Sequence, residues 1–256
     1  MPNVSLLFHD VYLNDPSESG FTLKAADRYK LSLPEFEAQL AGLGAFGAID
    51  ASGATLTFDD GGISFYTIAA NRIEACGLRA HCFVSTDFIG QSRFLSAAQI
   101  RELDARGHTI GTHSASHPAR FSKLTHVVML REWADSRKLL EDMVGHAVTT
   151  GSVPGGYFSK AVARAASEAG LQLLFNSEPV RSTRSIGGCT VAGRFTIRRG
   201  APADLARKLV QPAPWTRCGE WTTWNAKGLV KPLLGASYPL IADWIESRIP
   251  NPESGV

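Results

Sequence analysis

Two short stretches hold residue types that can act together as a chemical site. The first is Thr55-Leu56-Thr57-Phe58-Asp59-Asp60-Gly61-Gly62, a β-prone run that ends in adjacent carboxylates and a glycine turn. Successive strand side chains point to opposite faces, but where the strand ends at Gly61 both carboxylates can turn toward one site. Two such charges repel unless a cation lies between them or one is neutral. A metal held by one of the pair, with the other free for proton transfer, resolves that conflict. A plain Asp-Gly turn is the competing reading. The second stretch is Gly111-Thr112-His113-Ser114-Ala115-Ser116-His117-Pro118. Two imidazoles four residues apart share a face if the segment makes a helical turn. Two unrelated loop histidines are the alternative for an isolated pair. One Asp with two His makes a facial triad that leaves positions open for water and substrate.

The elements that must position these residues alternate along the chain. Strands are expected at Val4–Val11, at the run ending in Asp59-Asp60, and at Arg79–Ser85, His108–His113, Ala147–Val153, Leu171–Asn176 and Phe195–Arg198. Helices are expected between them. Ser32-Leu33-Pro34-Glu35 is a capping box opening a helix through Leu43. Others cover Tyr66–Cys76, the stretch from the Ser96/Gln99 cap to Gly107, Leu124–Val144 and Ser159–Ala169. In the long helix the apolar positions are Val127, Val128, Leu130, Trp133, Leu139, Leu140 and Met143. Two further helical pieces fit Ala203–Val210 and Tyr238–Ser247. About seven strand–helix repeats argue for parallel strands with crossover helices. His9, Asp59-Asp60, His113, Ser152 and Ser177 all fall at or near strand C-terminal ends. A β/α barrel assembles its site there, whereas an open sheet uses one switch point. The expected fold is a deformed (β/α)7 barrel, one domain over residues 1–256 with a helical C-terminal tail from about 203.

Composition narrows the function classes. With 26 basic and 24 acidic residues among 256, no strong field calls for nucleic acid or a membrane surface. No segment is apolar for long enough to span a bilayer, and the N-terminus lacks a signal-peptide pattern, so a cytoplasmic location is expected. Cys76, Cys82, Cys189 and Cys218 are scattered and read as free thiols.

Thr57-Phe58-Asp59-Asp60-Gly61 together with His113-Ser114-Ala115-Ser116-His117 resembles the first two motifs of the polysaccharide deacetylases, the NodB-homology enzymes of carbohydrate esterase family four. The likeness covers about Val4 to Ser177. It implies a deformed β/α barrel, with Asp59 as general base and Asp60, His113 and His117 as ligands of one divalent metal. Zinc is the default, and iron, cobalt or nickel suit the same ligands. The implied partner is an N-acetylated glycan substrate.

Two departures from that family pattern stand out. The third motif usually begins with an Arg that orients the catalytic Asp; here it reads Ser152-Val153-Pro154-Gly155-Gly156-Tyr157. Arg198 or Arg199 is a possible substitute, and the Gly155 N–H is the expected oxyanion donor. The usual C-terminal Leu-x-His acid is also absent, since no His follows His146. Amide hydrolysis needs a proton on the leaving nitrogen. His9 is the candidate, an arrangement similar to the permuted poly-N-acetylglucosamine deacetylase branch, with Asp10 or Asp59 as the carboxylate expected to keep it charged. His81, His108, His126 and His146 read as structural. Trp215, Trp221 and Trp224 read as packing for the last helices, with sugar stacking the alternative. The expected activity is metal-dependent removal of N-acetyl groups from an amino sugar. An amidohydrolase on a small non-sugar amide and an inactive glycan-binding relative are the other two readings.

Overall fold

The computed structural model describes residues 4–44, 54–211, 216–222 and 225. The expected helix at 238–247, Trp215 and Trp224 lie outside these residues. Strand β1 (Val4–Phe8) is buried at every position. That is the pattern of a parallel strand covered on both faces. Its neighbour β4 (Ala54–Phe58) pairs in register, Val4 against Ala54 through Phe8 against Phe58. Phe8 and Phe58 stack at 5.3 Å and meet Phe36 edge-on, so this face carries the core under the helices. Thr57 then points the other way, into the barrel.

The main sheet continues through β5 (Ala80–Val84), β6 (Thr109–Thr112), β7 (Thr150–Ser152) and β8 (Leu173–Phe175), all parallel. Beyond them lies an antiparallel hairpin of β9 (Thr183–Ile186) and β10 (Cys189–Ala192). Strand β10 pairs with β8. Two residues later the same chain becomes β11 (Phe195–Thr196), which pairs with β1. One extended segment therefore lies against both edges of the curled sheet and draws it into a barrel. Seven positions result: β1, β4 to β8, and the β10–β11 segment. Strand β1 sits between the second and seventh of them, as the permuted arrangement requires.

The helices follow their sequence signals. The Ser32–Glu35 box caps α1 (Leu33–Gly44), with Glu35 Oε2 2.8 Å from the Ser32 N–H. A π-helical turn at Phe65–Ala69 leads into α2 (Ala70–Ala75). Ser96 and Gln99 box α3 (Ala97–Ala105), and Ser159 caps α5 (Lys160–Glu168). Helix α4 runs His126–Val144, starting two residues later than expected because Thr125 is the cap. Its buried face is Met129, Trp133, Ser136 and Leu140, while Val127 is 66% exposed and Val128 and Leu139 also face outward. After the barrel come α6 (Leu205–Val210) and a helical stretch at 216–222. No helix among the described residues is long and apolar enough to cross a membrane.

The short strands β2 (Val11–Tyr12) and β3 (Leu31–Ser32) pair and close an excursion that the sequence reading left as loop. It is firmly held. The buried Lys30 Nζ donates to the carbonyls of Pro16, Ser19 and Phe21 at 2.6–2.7 Å.

Candidate active site

Alternation along β4 sets the site. Thr57 faces inward, Phe58 outward, and Asp59 inward again just past the strand end. Asp60 then adopts φ 74° and Gly61 φ 81°. A non-glycine residue rarely takes that conformation, and its cost is met by the surrounding structure. Gly61 needs its type twice over, since a Cβ there would also lie 3.1 Å from Val84 Cγ1. The turn rotates Asp60 away from its neighbour, and the two carboxylates meet different partners.

Asp60 Oδ1 lies 3.3 Å from His113 Nε2 and 3.4 Å from His117 Nε2. One donor atom from each residue falls within 4.8 Å of the others, and among the described residues this is the group able to hold a metal ion. The donor set fits such an ion. His113 Nδ1 is 2.9 Å from the Ser152 carbonyl, which can only accept, so Nδ1 carries the proton and the Nε2 lone pair is free toward Asp60. Two imidazole nitrogens and one carboxylate oxygen suit a first-row divalent ion. Burial pushes the Asp60 carboxyl up, but its contacts with the His113 and His117 imidazoles outweigh it and hold it well below the usual carboxylate range. Burial lowers His117, yet the Asp60 contact raises it on balance.

The His pair converges by a different route from the expected helical turn. His113 follows β6, and Ser114 and His117 take φ 65° and 52°. The loop is fastened from α4: Glu132 Oε2 accepts the Ala115 and Ser116 N–H groups at 3.0 and 2.9 Å, and Oε1 accepts the Ser116 hydroxyl at 2.6 Å. Phe21, from the β2–β3 excursion, packs its ring 4.8 Å from that of His117.

Asp59 is gripped by a residue the sequence reading did not select. Arg194, fully buried at the β10–β11 junction, donates through Nη1 to Asp59 Oδ1 at 2.7 Å and through Nη2 to Oδ2 at 2.8 Å. Its Nε donates to the Asn176 carbonyl, and Nη1 also reaches Thr57 Oγ1. The guanidinium lies over Phe83 and Phe175 at 5.8 and 5.7 Å. Ser152, where the family pattern has Arg, accepts from Arg194 Nη2 at 2.7 Å and donates to Asp59 Oδ2 at 2.9 Å. The expected substitutes lie elsewhere: Arg198 over the Tyr29 ring, Arg199 over Tyr12 with Nε on the Lys30 carbonyl. Burial pushes Asp59 up, and the Arg194 charge with its hydrogen bonds brings it below its ordinary value.

His9 follows β1 directly, is half-buried, and packs its ring, tilted by 33°, against that of Tyr29 at 4.9 Å. Its Nδ1 is buried without a partner among the described residues. Neither expected carboxylate holds it by a hydrogen bond. Asp10 Oδ1 accepts from Ser19 and Ser64, and Asp59 is occupied by Arg194 and Ser152. Burial lowers the His9 pKa, opposed by the charges of Asp60 and then Asp59. The third-motif turn places Gly155 at φ 59°, exposed at the end of β7. The Gly156, Tyr157 and Phe158 amides bond within the turn, and among the described residues the Gly155 amide meets no acceptor.

The remaining histidines sit away from this group. His108 accepts from the Ala80 amide and meets Glu74, His126 meets Glu168, and His146 meets Asp104. His81 packs inside the barrel on Phe83 and Phe175. Cys76, Cys82, Cys189 and Cys218 are all free thiols. Trp221 is 47% exposed rather than packed.

Comparison with known proteins gives one family. Its description is polysaccharide deacetylase, and the match covers residues 49–174. YxkH of Bacillus subtilis (strain 168), named for polysaccharide deacetylases, is 30% identical over 132 residues, which are 52% of this chain and 47% of that protein. The matched region thus spans about half of that curated relative. Among solved structures, BC0361 of Bacillus cereus, a polysaccharide deacetylase, is similar with TM-score 0.66 and 17% identity, covering 81% of this chain and 68% of its own. IcaB from Ammonifex degensii gives 0.63 and 20%, covering 84% and 96%. The Streptococcus pyogenes deacetylase PplD in complex with acetate gives 0.60 and 18%, covering 75% and 92%. At these identities the likeness is one of fold.

Proposed function

From the match of residues 49–174 to the polysaccharide deacetylase family, we propose that the chain removes N-acetyl groups from an amino sugar within an oligo- or polysaccharide, with the help of one divalent metal ion. The observation that carries this reading is the division of labour between adjacent carboxylates. Asp60 faces two imidazoles, and Asp59 faces a guanidinium and a hydroxyl. Environments that separate two neighbouring acids are how a site assigns them different roles. Asp60, His113 and His117 would hold the ion. When bound, it supplies Lewis acidity toward the acetyl carbonyl and toward water.

The chain's own groups perform the proton transfers. Asp59, kept ionised by Arg194, takes a proton from the attacking water. The Gly155 N–H donates to the oxyanion that develops on the acetyl oxygen. His9 delivers a proton to the leaving nitrogen, without which an amide anion would have to depart. Burial disfavours the charged form of His9, and the charges of Asp60 and Asp59 favour it. The ion is by default zinc, with iron, cobalt and nickel suited to the same donors. Arg194 supplies to Asp59 the guanidinium that Ser152 lacks, which weighs against an inactive glycan-binding relative.

The test is acetate release from N-acetylglucosamine oligosaccharides by metal-loaded protein, by chelated protein, and by two variants. His113→Ala is expected to lose metal and activity together. Asp59→Asn is expected to keep the metal and lose turnover by about a hundredfold or more. Activity that survives chelation, or full turnover in Asp59→Asn, would overturn the proposal.

A further inference from the structure

The segment that closes the barrel carries a second cation at its upper end. Side chains alternate along it: Phe195 and Ile197 join the core, which leaves Arg194, Thr196 and Arg198 on the inner face. The Ile197 amide donates to the Leu7 carbonyl at 2.9 Å, so the β1–β11 ladder runs on past its last pair and sets Arg198 level with His9. Both side chains meet one ring. The Arg198 guanidinium lies 5.6 Å from the centre of Tyr29, and the His9 ring lies 4.9 Å from it. Arg198 therefore stands beside the proposed acid, at the mouth of the barrel.

Its surroundings hold this cation without neutralising it. Arg198 is half-buried: Nε is covered and meets no partner among the described residues, while the two Nη groups stay open. His9 shows the same split, with Nδ1 covered and Nε2 open. The acids on neighbouring segments face other groups. Asp59 meets Arg194 and Ser152, Asp10 Oδ1 meets Ser19 and Ser64, and Glu35 accepts from Ser32 and the Gly200 amide. Arg72, Arg106 and Arg137, by contrast, each hold a carboxylate at the surface. A partly buried charge without a counter-charge is costly, and an open N–H fork matches two oxygens of one carboxylate or phosphate.

We infer that Arg198, backed by Tyr29, binds an anionic group of the substrate next to the amide that is cleaved. This rests on the proposed deacetylation and adds a charge to its substrate. The amide-bearing carbon of an amino sugar has a ring carbon on either side. The oxygen on one of these carries the carboxylate-containing substituent or the phosphate. Because His9 serves the leaving nitrogen, a group on that adjoining oxygen comes within reach of the residue level with His9. Arg198 is a specificity residue, with no part in the proton transfers.

The experiment follows acetate release by the metal-loaded full chain from N-acetylglucosamine disaccharides. The reducing unit is either a neutral methyl glycoside or carries a phosphate or a carboxymethyl group at O1 or O3. Wild type is expected to favour at least one anionic disaccharide over the neutral one by roughly ten- to a hundredfold in kcat/KM. Preference for phosphate alone, or for carboxylate alone, identifies the source of the charge. Arg198→Gln is expected to bring that ratio to about one, and Arg198→Glu to reverse it. A general loss of fold or of His9 placement lowers both substrates alike and leaves the ratio standing. Equal turnover of neutral and anionic disaccharides by wild type, or a preference that survives Arg198→Gln, would overturn the subsite. If wild type releases no acetate from any of them, the deacetylase reading fails. Calorimetric binding of the same disaccharides then decides the subsite separately: binding of an anionic one that Arg198→Gln abolishes supports it, and no binding or equal binding by both proteins overturns it.

Discussion

Asp59 and Asp60 are neighbours in the chain, but a single left-handed residue sends them to different partners. Asp59 is buried against Arg194, and removing one member of such a pair leaves the other charge uncompensated. Arg194→Met is accordingly expected to destabilise the fold by about 3–5 kcal/mol. The double variant Asp59→Asn/Arg194→Met should recover part of that loss, and a urea-unfolding cycle reads the coupling directly. Strict additivity would show that the pair is not coupled. Asp59, Asp60, His113 and His117 were legible because each lies in a short motif at a strand end. Arg194 was not, since it meets Asp59 across 135 positions with no local pattern to announce it. Ser152 gave half the signal by lacking a guanidinium. Arg198 and Arg199, the expected substitutes, follow shortly after Arg194 in the chain but lie over tyrosine rings instead. At His9 neither expected carboxylate makes a hydrogen bond, since Asp10 Oδ1 accepts from Ser19 and Ser64 and Asp59 meets Arg194 and Ser152, although the charge of each favours the protonated ring. What the proposed acid role rests on is the place of His9 at the C-terminal end of β1, where the charges of Asp60 and Asp59 act on it. His9→Ala should cut turnover on amides by roughly a hundred- to ten-thousandfold while leaving metal affinity nearly intact. The loss should shrink on activated acetyl esters, whose alcohol leaves unassisted. Equal impairment on both substrate classes would remove His9 from the proton path.

Helices and strands whose signals are local were readable to within a few residues. The capping boxes at Ser32 and Ser96 start their helices as expected. Helix α4 was placed but its faces were partly misread, because Val127, Val128 and Leu139 satisfy an apolar period without facing the barrel. The β9–β10 hairpin was missed. Its signal was Gly187-Gly188 between two short runs rich in β-branched residues, and both glycines take positive φ as a two-residue turn demands. A further element-scale feature is the clasp from α4 to the loop of the candidate metal site. Glu132 accepts three hydrogen bonds from residues 115 and 116, between the two histidines proposed as ligands. Supports of this kind commonly set metal affinity by 10–100-fold. Glu132→Ala is expected to weaken metal binding by about tenfold in an equilibrium competition with a chelator. Glu132→Gln, which keeps one acceptor oxygen, should lie between. Unaltered affinity in Glu132→Ala would show that the left-handed turn at Ser114 and His117 holds its shape unaided.

At the scale of the whole molecule, the barrel closes through one bent segment that serves as both its seventh strand and its main interior plug. Arg194 sits at the bend, with Asp59 on one side and the Phe83 and Phe175 rings on the other. The number of strands was legible from the strand–helix alternation. The closure was not, because only the Phe195–Arg198 part of that segment reads as a strand and nothing local shows that it continues from β10. Deeper in the same interior His81 stacks on Phe83 and meets Phe175 edge-on, and its Nδ1 has no partner among the described residues. Burial lowers its pKa from 6.5 to about 4, with Arg194 adding to the effect. In the unfolded chain the same group keeps the ordinary value. Between these two values the unfolded state binds the extra proton, so stability rises with pH there. The contribution of a neutral His81 is thus fully present above about pH 6.5 and is lost as the pH falls toward 4, reaching at most about 3 kcal/mol. His81→Phe replaces the imidazole by a ring of similar shape that cannot take a proton and can still pack against Phe83 and Phe175. The metal-free variant is expected to match metal-free wild type at pH 7 to within about 1.5 kcal/mol. It should lose less stability than wild type between pH 6.5 and 4.5 by about 2 kcal/mol. Urea unfolding of both proteins across that range measures the difference, and metal-free samples keep ligand protonation at His113 and His117 common to both. Parallel curves for the two proteins would show that His81 is not the group through which the barrel interior senses acid.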